Sequence, residues 1–399
     1  MTERRIRVHA TVLAICIWAL YGIDLATPGL RDRVGQVKGG DFVHFYVLGT
    51  LAREGRGSIL YDMDAQTALI PRLISDSAGL QYVPLYGPQV SMFFATFARL
   101  SYAQALVFWW LLTASMYATS VYLIWRACPR LRSHGKTVLL VAIAYPGFFT
   151  LIAWGQSSAP ALLAFVLAYL ALRSGHRVTA GLALGLLAFK PALAVAAGIV
   201  FLWTGEWLML AGAFISAAAQ IAIAWEHYGT GVMEAYVTTL RNVPSQFALI
   251  EPKVYMVHTL RAFWALLVPI GWFAPILYVL SAVMVLAIAI LVWRRSRSFE
   301  LRYSSLLIAT VLVAPHLTVY DLVVLAPALL LLAEWILEKP ERQVDSMLPA
   351  LLYACFVLPL FGPLTRWTHI QLSVIVFAGL LWWMWSYVKR SSRPIAPAS

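Results

Sequence analysis

The sequence predicts an all-α polytopic membrane protein with about 12 transmembrane helices, and three observations support this fold class. First, 61% of the 399 residues are hydrophobic and only 12% are charged, with a mean hydropathy of +0.77. A soluble domain is about half apolar and roughly a quarter charged, so this chain has too little charge to cover a water-exposed surface. Second, apolar stretches approaching the ~20 residues needed to cross a bilayer recur along the chain. Third, Lys and Arg lie in short runs between these stretches, which is the pattern of cytoplasmic loops.

The net charge of +12 would suggest nucleic acid in a soluble protein. Because the basic residues here flank apolar stretches, we predict no nucleic-acid partner. Cys16, Cys128 and Cys355 are scattered without a CxxC pair, which indicates neither a disulfide framework nor a thiolate metal site.

The first span is predicted at about residues 8–26, after the basic cluster Arg4, Arg5 and Arg7. No small-residue cleavage site clearly follows, so we interpret the run as an uncleaved span with a cytoplasmic N-terminus. Residues 28–88 form the longest non-apolar stretch and should be external. This stretch holds the acids Asp41, Glu54, Asp62, Asp64 and Asp76. Residues 42–52 could lie in the membrane interface, and residues 89–100 are too short to span.

The rest of the chain alternates apolar and basic stretches. Residues 137–172 are uncharged and broken at 154–158, which predicts two spans joined by a tight external turn. Residues 178–203 surround Lys190, and two short spans meeting there fit the charge alternation better than one tilted span. The other predicted spans are 102–125, 207–224, 261–293, 303–315, 319–337, 346–362 and 369–388, with a second external loop at about 225–260. All basic clusters then share one side with both termini. Residues 1–393 form a single membrane domain, and 394–399 a disordered tail.

Ionisable residues between apolar stretches are costly in a membrane and therefore candidates for function. Asp41 follows Gly40 and starts an aromatic, amphipathic stretch. It could simply cap a helix, but a carboxylate among apolar groups at the membrane face would have a raised pKa, which suits a general base.

Lys190 stands alone in an apolar run before Pro191. A lone lysine near a helix end can snorkel to the interface. The topology nevertheless places Lys190 on the external side, against the positive-inside trend, where a cation would suit a lipid phosphate.

The third candidate segment runs from Pro315 through His316 to Tyr320 and Asp321. Asp321 could merely complement a helix dipole, and His316 could be an ordinary interfacial histidine. Weaker candidates are Tyr86, Gln156, Glu226, His227, Arg241, Glu251, Lys253 and His258. No P-loop, GxGxxG, HExxH or carboxylate cage is present, so the sequence predicts neither a metal nor a cofactor, although Asp41, Asp62 or Asp321 could still bind a metal.

These motifs resemble, in order and spacing, the polyprenyl-phosphate-mannose-dependent alpha-mannosyltransferases of the GT-C superfamily. The resemblance extends from about residue 10 to residue 340. The matching strings are GDF..FY at 40–46, LYD at 60–62, YGP at 86–88, WGQS at 154–157, GLALGLLAFKP at 181–191 and P....YDLV at 315–323. The Gly-Gln and Lys-Pro segments are the most specific.

The resemblance implies a GT-C-like bundle that carries its active site on external loops. It implies transfer of a sugar, by default mannose, from a polyprenyl-phosphate donor to a glycolipid or glycan acceptor with inversion. Asp41 matches the family's base, and Lys190 matches its later lysine. Chemistry favours Lys190 and His316 as ligands of the donor phosphate. The resemblance further suggests that Tyr46, Tyr86, Gln156, Tyr320 and Asp321 contact substrates.

The sequence departs from the family pattern at two places, and the second bears on the identity of the donor sugar and the acceptor. Gly87 replaces a proline that is frequent in the family, and a Thr-Val-Tyr-Asp string replaces a frequent Ser-Trp-x-His string at 318–321. The implied location is the bacterial inner membrane, with membrane lipids as partners.

Two other classes of function remain open. A secondary transporter or flippase would also show broken helices with polar residues near the midplane, although no internal repeat is visible. A structural membrane protein would not need the lone acids and lysine.

Overall fold

A computed structural model describes residues 2–75, 77, 79–268, 270–339 and 345–391. This part of the chain contains helices, turns and two isolated β-bridges, Arg31–Val37 and Val257–Thr318, and no β-strand. The all-α prediction is therefore confirmed for the described residues. Asp76 and the predicted tail at 394–399 lie outside them.

The first quarter of the chain contains one long apolar helix followed by a folded loop. Its helices are α1 (Glu3–Leu25), α2 (Phe42–Arg53), α3 (Met63–Leu73), α4 (Pro88–Phe94) and α5 (Tyr102–Ala127). The predicted interfacial segment at 42–52 is α2, and its residues from Phe42 to Leu51 are buried. It packs into an aromatic core around Phe45, Phe94 and Trp109, with Phe45 and Phe94 stacked at 4.8 Å.

The second quarter is built from short helices with breaks between them. They are α6 (Gly135–Ile143), α7 (Pro146–Trp154), α8 (Ser158–Arg173), α9 (Arg177–Gly185), α10 (Val195–Thr204) and α11 (Trp207–Tyr228). The break predicted at 154–158 separates α7 from α8. The break predicted at Lys190 lies between two 3₁₀ turns, Leu186–Phe189 and Pro191–Leu193, because Pro191 cannot continue a helix and disfavours helical backbone at the preceding residue.

The second half of the chain begins with the second long loop. Its helices are α12 (Thr230–Asn242), α13 (Phe247–Ile250), α14 (Leu260–Leu267), α15 (Phe273–Arg295), α16 (Phe299–Val313), α17 (Ala326–Leu337), α18 (Met347–Val357), α19 (Thr365–Thr368) and α20 (Leu372–Ser391). A long 3₁₀ turn, Val319–Leu325, leads into α17. Most of α16 is buried, so this helix lies at the centre of the bundle.

Within the described ranges, seven helical segments are long and apolar enough to cross a membrane, or up to eight if the bent pair α6–α7 counts as one span. The chain is therefore a multi-pass membrane protein, but the predicted count of twelve is not confirmed. The shorter helices α8, α9 and α10 are apolar without reaching the length of a full span. Only 11% of the apolar window of α1 is buried, which leaves that helix to face lipid.

The bundle has two chemically different ends. The basic end is defined by the start of α1, the α5–α6 and α8–α9 connections, the α15–α16 loop and the C-terminal turns of α17 and α20. Contacts join these pieces: Thr137 donates to Glu3 at 2.6 Å, the backbone of Leu131 donates to Glu334 at 2.9 Å, and Trp335 packs on Tyr387 with ring centroids 4.8 Å apart. The predicted basic clusters therefore converge on one end.

Helices α9 and α11 pack at backbone contact. A Cβ on Gly181 would lie 2.1 Å from the carbonyl oxygen of Met209, and one on Gly212 would lie 2.3 Å from that of Val178. Small residues that let backbones approach are typical of membrane helix interfaces. This packing fixes the position of α9 and of the 3₁₀ turn that follows it and leads to Lys190.

Candidate functional site

The turn between α7 and α8 fixes the start of α2. Gly155 ends α7 with a φ of +67°, a conformation that favours glycine, and a Cβ there would lie 2.8 Å from Cβ of Phe42. Trp109 Nε1 donates to the carbonyl of Gly155 at 2.9 Å, and the backbone N–H of Asp41 donates to the carbonyl of Trp154 at 3.0 Å. The turn therefore brings Asp41 beside Gln156.

Asp41 precedes α2, but its side chain makes no capping hydrogen bond. Instead, its Oδ2 accepts a 2.9 Å hydrogen bond from Gln156 Nε2. Asp41 is partly exposed. Burial of the carboxyl group raises its pKa to about 6, although the hydrogen bond from Gln156 and the charges of Lys190 and His316 oppose this shift. Such a carboxylate can accept a proton near neutral pH.

Gln156 connects Asp41 to two tyrosines. Its Nε2 also donates to the hydroxyl of Tyr320 at 3.3 Å, and its Oε1 accepts from the hydroxyl of Tyr86 at 3.4 Å and from the backbone of Ser157 at 3.0 Å. Only 7% of the Gln156 surface is exposed. Both the amino group and the carbonyl oxygen of the Gln156 side chain therefore form hydrogen bonds, and these bonds orient its amino group toward Asp41.

Lys190 forms an ion pair with Asp321 rather than reaching toward bulk water. Its Nζ donates to Asp321 Oδ1 and, at 3.1 Å, to Ser158 Oγ, and it lies 5.4 Å from the ring centroid of Tyr320. Asp321 is fully buried; Ser158 Oγ donates to its Oδ1 at 2.5 Å, and the backbone of Thr318 donates to its Oδ2 at 3.2 Å. The Lys190 side chain keeps 13% of its surface exposed, so the ammonium retains limited access.

His316 belongs to a neighbouring ion cluster. Its Nδ1 lies 2.7 Å from Oε1 of the buried Glu251, whose other oxygen accepts from Arg261. Arg261 also donates to the carbonyl of Pro315 at 2.5 Å. Burial would raise the pKa of Glu251, but the hydrogen bond and charge of His316, together with Arg261, hold it below its usual value. The second long loop is thereby tied to the segment that leads to Asp321.

Sequence reasoning missed part of this arrangement. Ser158 and Arg261 were not singled out, and Glu251 ranked among the weaker candidates. Nothing in the sequence set Glu251 apart from the other charged residues of its loop, such as Glu234, Arg241 and Lys253. Of the other weak candidates, Lys253 lies 6.0 Å from the ring centroid of Trp154, and His258 is buried against Ser373 at 2.7 Å. The other three, Glu226, His227 and Arg241, are exposed.

Tyr46 is the predicted substrate contact that the structure places elsewhere. Its hydroxyl donates to the carbonyl of Leu100 at 2.8 Å, and its ring packs edge-on against Tyr102 at 5.5 Å. The residue is 8% exposed and belongs to the aromatic core around α2. The other seven predicted site residues lie in the two linked clusters around Gln156 and Glu251.

The combined site offers a carboxyl group with a raised pKa, a lysine with limited access and an imidazole, all at the end of the bundle opposite the basic end. We call this the site end. It comprises the loop between α1 and α5, the α7–α8 turn, Lys190, the loop between α11 and α14 and the segment 315–321. Among the described residues, no group of three His, Cys, Asp or Glu side chains is placed to hold a metal ion.

Comparison with known families identifies the class of protein. The model of Glycosyltransferase family 87 matches residues 85–315, which is more than half of the chain. No curated protein and no solved structure gives a significant match. The matched segment contains Tyr86, Gln156 and Lys190, whereas Asp41 and Asp321 lie outside it. With its apolar helices, the chain is a membrane glycosyltransferase and belongs to glycosyltransferase family 87.

Proposed function

We propose that this glycosyltransferase moves a sugar from a polyprenyl-phosphate donor to a lipid-linked or glycan acceptor, with inversion and with Asp41 as the general base. Mannose is the first donor sugar to test, because the sequence resembles mannosyltransferases that use polyprenyl phosphate. The reaction takes place on the external face of the inner membrane, with both termini in the cytoplasm.

One observation carries the proposal: Asp41 and Lys190 meet around Gln156 and Tyr320 at the site end. Gln156 donates to Asp41 at 2.9 Å and to Tyr320 at 3.3 Å, and Lys190 lies over the Tyr320 ring. A base and a cation are the two groups that displacement of a phosphate by a hydroxyl requires.

The proposed step is a single displacement. The acceptor hydroxyl oxygen forms a bond to the anomeric carbon while Asp41 takes its proton. The bond between that carbon and the phosphate oxygen breaks, and its electron pair leaves with the polyprenyl phosphate. This leaving group needs charge stabilisation rather than a proton. Lys190 supplies a positive charge at a site largely closed to water, and His316 adds a second one when it is protonated.

The location of the site fits a lipid-linked donor. Asp41 follows the long apolar helix α1, and Lys190 ends a short apolar arm formed by α9 and its 3₁₀ turn. A polyprenyl chain could lie against the apolar helix surfaces while its phosphate and sugar reach the cluster. A protein whose substrates were both water-soluble would have no need for this arrangement.

The decisive experiment is a transfer assay with purified protein in nanodiscs. Polyprenyl-phosphate mannose and other polyprenyl-phosphate sugars serve as donors, with a membrane glycolipid extract as acceptor. We expect transfer by the wild type and its loss, by about 10²–10⁴-fold, in Asp41→Asn. Asp64→Asn is the matched control, because Asp64 is an exposed acid in the same loop.

Equal activity of Asp41→Asn and Asp64→Asn would remove Asp41 from the role of base. Movement of labelled donor across proteoliposomes without covalent transfer would instead support the flippase alternative.

A further inference from the structure

A cavity of about 580 Å³ lies at the basic end, far along the bundle from Asp41. Four elements meet around it. The last turn of α15 contributes Arg295, and the α15–α16 loop contributes Arg297. The last turn of α17 contributes Trp335, the residues just after α17 contribute Lys339, and α20 contributes Tyr387. The proposed transfer reaction uses none of these residues.

The cavity is lined by three cations and, among the residues that the structure describes, by no acid. None of the three cations, Arg295, Arg297 and Lys339, forms an ion pair with a carboxylate in the part of the chain that the structure describes. Lys339 Nζ lies 5.4 Å from the ring centroid of Trp335, and the Arg295 guanidinium lies 5.7 Å from that of Trp385. The positive charges therefore stand together without a described counter-ion in contact.

The wall of the cavity includes two aromatic side chains. Trp335 is only 3% exposed, and it lines the cavity together with Tyr387. Its ring packs edge-on against Tyr387 at 4.8 Å. An indole and a phenol at the end of apolar helices are typical of the boundary between lipid and water.

These groups match the chemistry of a phosphate ester held at a membrane surface. Arginines bind phosphate oxygens in a bidentate manner, and lysine adds a point charge. Basic pockets between transmembrane helices are known to bind anionic lipid headgroups. The positive-inside rule accounts for basic residues at this end, but not for their convergence with a buried tryptophan around one cavity.

We propose that this cavity binds the phosphate headgroup of an anionic membrane lipid. Arg297 and Lys339 hold the phosphate, Arg295 supports the positive potential, and the aromatic wall contacts the glycerol region. The bound lipid would tie α15, α17 and α20 together at the end of the bundle opposite the transfer site.

The test is native mass spectrometry of the full chain in a neutral detergent, titrated separately with phosphatidylglycerol, phosphatidylcholine and inorganic phosphate. The double variant Arg297→Gln/Lys339→Gln removes two exposed or partly exposed cations of the cavity. Arg4→Gln/Arg5→Gln removes the same charge from the same end without altering the cavity. Thermal unfolding of each variant checks the fold.

We expect one tightly bound phosphatidylglycerol whose dissociation constant rises about 30-fold in the cavity variant and less than about twofold in the control, because each cation near a membrane surface contributes about fivefold. Phosphatidylcholine should not bind at this site. Displacement of the lipid by inorganic phosphate at millimolar concentration would overturn a membrane lipid as the occupant and indicate a soluble phosphate instead. Equal weakening in both variants, or equal binding of the two lipids, would overturn the proposal.

Discussion

Asp41 combines the two properties that a general base at a membrane surface needs. It is partly exposed, so an acceptor can reach it, and burial of the carboxyl raises its pKa to about 6. The sign of the shift has a consequence for stability. Because folding raises the pKa of Asp41, ionisation of this carboxyl group destabilises the folded state as pH increases from about 4 to about 6. Asp41→Asn should therefore unfold at the same temperature as the wild type or at a higher one.

The pH dependence of transfer should depend on Gln156. A base acts only when ionised, so the rate should fall as pH decreases through about 6. The hydrogen bond from Gln156 lowers the pKa of Asp41, and Gln156→Leu should therefore move this acidic limb to higher pH as well as reduce the maximal rate. Rate profiles of the two proteins between pH 5 and pH 8 give the comparison, taken at intervals of about 0.5 unit. If the acidic limb of the pH–rate profile does not move in Gln156→Leu, a group other than Asp41 determines that limb.

Lys190 and Asp321 should depend on each other for stability. Asp321→Leu leaves a buried ammonium without its carboxylate, and breaking a buried pair in this way costs about 3–5 kcal/mol. The double variant Lys190→Met/Asp321→Leu removes both charges and should recover most of the unfolding temperature. Transfer should nevertheless stay lost, because the phosphate would lack its cation.

Thermal unfolding and the transfer assay, measured on the same samples, separate these two effects. If the double variant is as unstable as Asp321→Leu, the unpaired Lys190 is not the reason for the lost stability. If it transfers sugar, Lys190 is not a phosphate ligand.

At the scale of elements, short broken helices place the polar residues. Gly155 ends α7 in a left-handed conformation, and Pro191 ends the arm formed by α9 and its 3₁₀ turn. Each break frees a side chain to point away from a helical path, Gln156 in one case and Lys190 in the other. The close packing of α9 on α11 then fixes the height at which Lys190 meets Asp321.

The α9–α11 interface should tolerate no added methyl group at its glycines. In Gly181→Ala the new Cβ would meet the Met209 carbonyl at 2.1 Å, so the helices must separate, and overpacking of this kind costs about 1–3 kcal/mol. Gly198→Ala in α10 is the matched control, because a Cβ there meets nothing within 4 Å. The control should be neutral or slightly stabilising. Unfolding temperatures in detergent test this, and equal temperatures for the two variants would contradict it.

At the scale of the whole molecule, the two ends should face opposite sides of the membrane. Ser245 is exposed in the second long loop, at the site end, and Ser133 is exposed at the basic end. In a chain with its three cysteines replaced, a membrane-impermeant thiol reagent should label Ser245→Cys in intact cells. Ser133→Cys should react only after permeabilisation. Labelling of both from one side would contradict the two-ended arrangement, and the reverse pattern would invert the proposed orientation.

The membrane class, the positions of the long helices and the candidates Asp41 and Lys190 were predictable from sequence, because hydropathy and lone charges are local properties. The three-dimensional fold decided what these charges contact. Asp321 was expected at a substrate, but it lies buried under Lys190, and Tyr46 lies in an aromatic core beside Leu100. Contacts between Glu251, Arg261 and His316 join residues far apart in the chain, and no pattern within one segment encodes them. The sequence alone shows which ionisable side chains would be costly in a membrane without a partner. Only the packing of the helices determines which partner each of them finds.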